Sequence, residues 1–182
     1  MRISNNPNLY KILASFVVVA SASTLFNILV EAPSHSTSYS HTKVKSTDNS
    51  NTQPLQLKIS LSRRQLILYR GNTKIKTYPV AVGRSGWETP TGKFQVMTKT
   101  KNPAWMNPFT GKSILGGKPE NPLGKYWIGF WTNGKTWIGF HGTPNPESVG
   151  KATSHGCIRM YNKDIQELFH QVSLGTSVTV VQ

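Results

Sequence analysis

The sequence predicts a mainly β domain with one late α-helix, occupying residues 54–182. Three observations predict it. Short runs alternate apolar and polar residues with the period of two expected of a half-buried strand. An Asn-Gly pair sits between two apolar runs, a strong hairpin signal. Only one stretch, near the C-terminus, carries its apolar residues at helical spacing.

The elements follow in chain order. Residues 1–32 place Arg2 and Lys11 ahead of an apolar run from Ile12 to Val30, interrupted only by Ser15, Ser21, Ser23, Thr24 and Asn27. A basic flank before an apolar run is the pattern of an export signal. Ala20-Ser21-Ala22 and Val30-Glu31-Ala32 both resemble small-residue cleavage sites, and the run is also long enough to span a bilayer uncleaved. The expectation is therefore a cleaved signal peptide or a retained N-terminal membrane anchor. Either places the protein outside the cytoplasm, in the periplasm or cell wall or tethered to the inner membrane. Residues 33–53 are mostly Ser, Thr, Asn, His and Lys, which cannot bury enough surface to offset chain entropy. They read as a disordered polar linker in which His35 and His41 are bystanders.

Leu55, Leu57, Ile59 and Leu61 alternate with polar residues as a first strand. Gln65 to Arg70 is a second, followed by the turn Arg70-Gly71-Asn72, and Ile75 to Val82 is a third, closed by Gly83. Lys93 to Thr98 alternates again. Tyr126 to Trp131 and Lys135 to Phe140 flank Thr132-Asn133-Gly134 as a hairpin. Asn162 to Val172 is the helix, with Asn162 as N-cap, Asp164 in the first turn, and Ile165, Leu168, Phe169 and Val172 as its apolar stripe. Gly175 ends that unit, and Ser177 to Val181 is a final strand. Lys99 to Gly124 is rich in Pro, Gly and Asn without a period, and so long a loop in a compact domain is usually functional. There are no internal repeats.

A chain of 182 residues has room for one such domain beside its terminal segments. Lys and Arg number 21 against 7 acids, a formal charge of +14, which favours polyanionic surroundings without specifying a fold. The cations are scattered, with no groove-reading helix and no row of stacking aromatics, so the sequence carries no nucleic-acid signature. Anionic cell-wall polymers or lipid headgroups suit the same charge. The single cysteine, Cys157, rules out an intrachain disulfide and leaves stability to the core.

That cysteine sits in the most informative stretch, His141-Gly142-Thr143 followed by Ser154-His155-Gly156-Cys157-Ile158-Arg159-Met160. A thiol becomes a strong nucleophile where a nearby imidazole or cation favours the thiolate, and two histidines and an arginine lie close in sequence. Residues 155 and 157 point to the same side of an extended backbone. His141 ends a strand, a rigid place from which to present a base. The residues alone leave the base open between His141 and His155. Gly156 permits close backbone approach to a substrate, and its N–H with that of Cys157 can serve an oxyanion. Arg159 is suited to gripping a carboxylate bidentately. A competing reading makes His141, His155 and Cys157 zinc ligands. No H-E-x-x-H or paired Cys-x-x-Cys supports it, so neither a metal nor another cofactor is expected.

The combination H-G-T, then S-H-G-C-I-R-M, resembles the signature of the L,D-transpeptidase catalytic domain, also called the YkuD-like domain. Tyr78-Pro79-Val80-Ala81-Val82-Gly83, Thr89-Pro90-Thr91-Gly92-Lys93-Phe94 and Asn121-Pro122-Leu123-Gly124 are similar to that family's pattern as well. The resemblance covers about residues 55 to 182. It implies a sandwich-like β fold and a reaction on peptidoglycan stem peptides. Cys157 would attack the carbonyl between the third residue and D-alanine, and D-alanine would leave behind a thioester. A side-chain amine from a second stem would then resolve it into a 3→3 cross-link. By resemblance His141 is the catalytic histidine, and the Gly142 carbonyl orients its ring. His155, Gly156 and Cys157 form the oxyanion segment with Ser154 as support, and Arg159 orients substrate or braces the site. Trp105, Met106, Phe109, Tyr126 and Trp127 are candidates to line a groove for the stem, with one of the adjacent Tyr126 and Trp127 expected to face in and the other out. Thr89-Pro90-Thr91-Gly92 reads as a structural turn. Two other functions compete: an L,D-carboxypeptidase, in which water resolves the acyl-enzyme, and a non-catalytic basic wall-binding protein with Cys157 as inert packing.

Overall fold

The structure, a computed structural model, describes residues 53–182. The expected export segment and nearly all of the expected linker lie outside the described residues. The strands are β1 (Leu55–Ser60), β2 (Gln65–Arg70), β3 (Thr73–Pro79), β4 (Val82–Gly83), β5 (Gly92–Gln95), β6 (Thr98–Lys101), β7 (Trp105–Met106), β8 (Ser113–Ile114), β9 (Tyr126–Thr132), β10 (Trp137–His141), β11 (Ala152–Ser154), β12 (Ile158–Arg159) and β13 (Ser177–Val181). The helix α1 spans Asn162–Gln171 between β12 and β13.

Two sheets enclose the core. The first has the order β3-β2-β1-β13-β5 and the second β12-β10-β9-β6. In the first, Leu57 is level with Leu68 and Val178, and Ile59 with Leu66 and Val180. Cross-strand partners share a face, so one inward surface forms from six buried aliphatics. The parallel pairing of β1 with β13 ties the start of the domain to its end. Phe94 of β5 approaches Phe130 of β9 at 5.7 Å between ring centroids, joining the sheets across the core. The sandwich-like, mainly β architecture is the one expected.

Helix α1 covers β9 and β10 with Ile165 and Leu168, while its Glu167 accepts hydrogen bonds from Tyr78 and Lys76 of β3. The expected helix is present, but Asn162 is not its cap. Tyr161 occupies that position, no side chain caps the first turn, and the Asn162 amide is engaged elsewhere.

Two expected strands divide where the chain changes partners. The Ile75–Val82 run stops at Pro79, which has no N–H to give a ladder. Ala81 then bridges Arg159, and β4 joins β11. The Lys93–Thr98 run crosses between sheets in a single step, since Val96 N–H donates to Thr176 of the first sheet's margin and Met97 N–H to Gly129 of the second. Both Tyr126 and Trp127 are buried, contrary to the in-and-out expectation, because β9 is a central strand covered on each face. The Asn133-Gly134 hairpin is as read, with Gly134 at φ +84. The long segment after β6 holds the β7–β8 hairpin and is tied down by buried Asn121, whose amide donates to Pro103 and Leu115 and whose carbonyl oxygen accepts from Leu123 N–H.

Candidate active site

Parallel strands β10 and β12 set the site. Phe140 is level with Ile158 and His141 with Arg159, so the last residue of β10 stands beside a strand that begins just after Cys157. The turn carrying Cys157 is fixed by side chains beneath it. Ser154 Oγ donates to the Cys157 carbonyl at 2.6 Å and accepts from Gly156 N–H at 3.1 Å. Thr89, buried, donates from Oγ1 to the Gly156 carbonyl at 2.8 Å and accepts from Gly83 N–H at 3.1 Å. The turn read as structural therefore supports the nucleophile segment directly. Gly156 has φ +101, and a Cβ there would stand 2.8 Å from Ile138 Cδ1. Its N–H donates to Ser154 Oγ, so the residue shapes the turn.

Cys157 is 8% exposed and lines a cavity of about 610 Å³ shared with His141, His155, Ser154, Arg159 and Trp137. Its Sγ–H points to the Trp137 carbonyl at 3.7 Å, a long sulfur hydrogen bond. Burial pushes the thiol up to about 11, outweighing the Gly139 backbone and the Arg159 charge that favour the thiolate. Burial thus favours the protonated thiol, while the Arg159 charge favours the thiolate.

His141 is buried, stacks on Trp127 at 6.1 Å between centroids, and donates from Nδ1 to the Gly142 carbonyl at 2.6 Å. Because a carbonyl can only accept, that bond places a proton on Nδ1. Burial lowers the imidazole to about 4, against the opposing backbone bonds to Gly142 and Pro122 and with a further push from the Arg159 charge. Burial therefore pushes both groups toward their uncharged forms.

This burial carries a stability prediction. The unfolded imidazole takes a proton near its ordinary value of 6.5 while the folded one resists until about 4, so below 6.5 the unfolded chain binds more protons. Stability should fall by about 3 kcal/mol as pH drops through that interval. The paired Glu167, whose carboxyl is held down chiefly by its bond from Lys76, loses its contribution only at lower pH. Urea unfolding from pH 7 to 4 should show this loss in the native protein and most of it gone in His141→Gln.

His155 is placed differently. Its Nε2 accepts from the Arg84 guanidinium at 2.9 Å, and its ring lies edge-on to Trp87 and Phe109 at 4.6 and 6.0 Å. Desolvation and the Arg84 and Arg159 charges lower its imidazole. With its acceptor nitrogen occupied, it is a wall of the cavity. The guanidinium beside it also disfavours a metal cation, and among the described residues no group of three His, Cys, Asp or Glu is gathered as a ligand set. Arg159 is half-buried on the cavity wall and forms no salt bridge among the described residues. Of the aromatic candidates, Trp105 and Phe109 line the cavity. Tyr126 does not: it packs on Phe169 and His170 at 5.0 and 5.7 Å, because the helix covers its face of β9. Trp87 and Trp137 line the cavity without having been singled out, and neither carries a sequence signal beyond its residue type.

Fold and site together define a β-sandwich enzyme built around a cysteine and a histidine in one cavity. The model of the L,D-transpeptidase catalytic domain, YkuD, matches residues 55–180, and the chain belongs to that family. It is similar to YkuD of Bacillus licheniformis, 40% identical over 132 residues covering 72% of this chain and 68% of that protein. With YkuD of Bacillus subtilis it is 41% identical over 129 residues, 71% of this chain and 67% of the other. Among solved structures, L,D-transpeptidase 3 from Mycobacterium tuberculosis with a faropenem-derived adduct has a TM-score of 0.56 at 19% identity, covering 70% of this chain and 60% of that one. That likeness is one of fold.

Proposed function

We propose that this protein is a peptidoglycan L,D-transpeptidase that forms 3→3 cross-links through a thioester on Cys157. The observation that carries the proposal is the shared cavity of Cys157 and His141, with the histidine's Nδ1–H committed to the Gly142 carbonyl. In this reading Cys157 Sγ bonds to the carbonyl carbon of the third stem residue while its proton passes to His141 Nε2. The C–N bond to D-alanine then breaks, and Nε2 returns the proton to the leaving amine. The side-chain amine of a second stem attacks the thioester, gives up its proton through His141, and releases the thiol. Arg159, a cation in an otherwise mostly apolar cavity wall, is suited to a carboxylate of the stem. The basic surface suits anionic wall polymers, and residues 1–32 suit export or an inner-membrane tether.

Incubation with purified disaccharide-tetrapeptide tests the proposal. The expected products are a cross-linked dimer and free D-alanine from the native protein, and neither from Cys157→Ala. Tripeptide with no dimer would make water the acceptor and the protein an L,D-carboxypeptidase. Unchanged dimer formation by Cys157→Ala would remove the thioester from the mechanism.

A further inference from the structure

We propose that Asn162 is a positioning residue that holds the peptide plane orienting His141, an inference that rests on His141 acting as the base for Cys157. The Gly142 C=O and the Thr143 N–H belong to one planar trans peptide unit and point in opposite directions. His141 Nδ1 donates to the carbonyl end at 2.6 Å, and the amide end donates to Asn162 Oδ1 at 3.0 Å. Asn162 Nδ2 in turn donates to the Thr143 carbonyl at 3.0 Å. This donor-and-acceptor pair fixes which way the side-chain amide lies, since only its oxygen can accept from an N–H and only its nitrogen can donate to a carbonyl. Asn162 and His141 therefore grip opposite ends of the same rigid plate. A turn of that plate would swing the Gly142 carbonyl off Nδ1 and free the ring to rotate or change tautomer.

Two features show that the residue's neighbourhood is arranged for this contact. Asn162 is the first residue of α1, just after the Tyr161 cap position, and its side chain turns away from the helix to the Gly142–Thr143 peptide. The backbone is also cleared around the amide. A Cβ on Gly142 would fall 2.1 Å from Asn162 Oδ1, and one on Gly124 would fall 3.1 Å away. The side chain is not part of the cavity wall, so it acts on the ring without meeting substrate.

The test is the rate of Cys157 acylation by a carbapenem, followed by intact mass across pH 4–8, for the native chain, Asn162→Ala and Asn162→Asp. The alanine variant should lose about 10- to 100-fold in the acylation rate constant, the scale expected when a reacting group is misplaced by about an ångström, at an unchanged half-saturating concentration. The aspartate keeps the acceptor, loses the donor and adds a negative charge beside Gly142, which favours the imidazolium. Its acid limb should move to higher pH by charge alone, whereas loss of the donor to Thr143 should lower the rate on the pH plateau at unchanged half-saturation, the readout specific to positioning. Aspartate is nearly isosteric and serves if the alanine variant does not fold. Native rates and an unmoved acid limb in the folded variants would overturn the proposal, as would a loss confined to half-saturation. Failure of the underlying reading looks different: the native protein would not be acylated at Cys157, or His141→Gln would be acylated as fast as the native chain.

Discussion

Replacing His141 by glutamine is expected to slow acylation of Cys157 by about 10²- to 10⁴-fold, the usual contribution of a positioned general base. The expectation follows from the resting charges. Burial pushes the thiol toward its protonated form and the imidazole toward its neutral form, so proton transfer to the ring during attack is the favoured way to make the nucleophile. Glutamine approximates the size of the ring and can donate to the Gly142 carbonyl, but it cannot take a proton at neutral pH. The native rate should be flat above its acid limb and fall as pH drops toward about 4, where the neutral imidazole is lost. In the variant that limb should vanish, and the remaining rate should climb with pH as the thiol itself ionises. Stopped-flow or quenched mass measurements of carbapenem acylation from pH 4 to 10 read both effects. A variant that keeps the native rate and the native acid limb would assign the proton transfer to another group.

Gly156→Ala should damage fold and activity together. At φ +101 an L-residue is strained whatever its size, and the added Cβ would stand 2.8 Å from Ile138 Cδ1. Ile138 is buried in β10, the strand that presents His141, so it has little room to retreat. Backbone strain with a steric clash costs on the order of 1–3 kcal/mol. The turn would relieve part of that cost by moving, and its restraints are the bonds from Ser154 and Thr89 that place Cys157. Displacement of the nucleophile by about 1 Å is enough for roughly a 10²-fold loss. Thermal unfolding should show the destabilisation, and the folded fraction should still acylate slowly. Native stability with native acylation would mean that the turn tolerates a side chain and is not held as described.

The strands were legible wherever alternation faced one covered surface, as in β1, β2 and β13. They were misread where one run serves two partners: the divisions at Pro79 and between Val96 and Met97 depend on which strand waits alongside, and a period of two carries no such information. Tyr126 was misplaced for a related reason, since alternation cannot show that α1 covers the second face of β9. The motif around Cys157 pointed to the cavity because its residues are neighbours in sequence. Thr89 and Asn162 escaped because they act through backbone atoms of residues 67 and 19 positions away, and a hydroxyl or amide that holds a distant peptide plane looks in sequence like a turn former or a cap. The burial of Cys157 is likewise not written in the motif. Neighbouring cations are visible in the sequence, whereas the burial that opposes them is a property of the fold.

The most direct measurement is the intact mass of the protein after incubation with a carbapenem, followed by peptide mapping, for the native chain and Cys157→Ala. One adduct on the peptide containing Cys157, and none on the variant, is the predicted result. An adduct of equal yield on Cys157→Ala, or a native thiol that stays unmodified while the protein still cross-links stem peptides, would contradict the account.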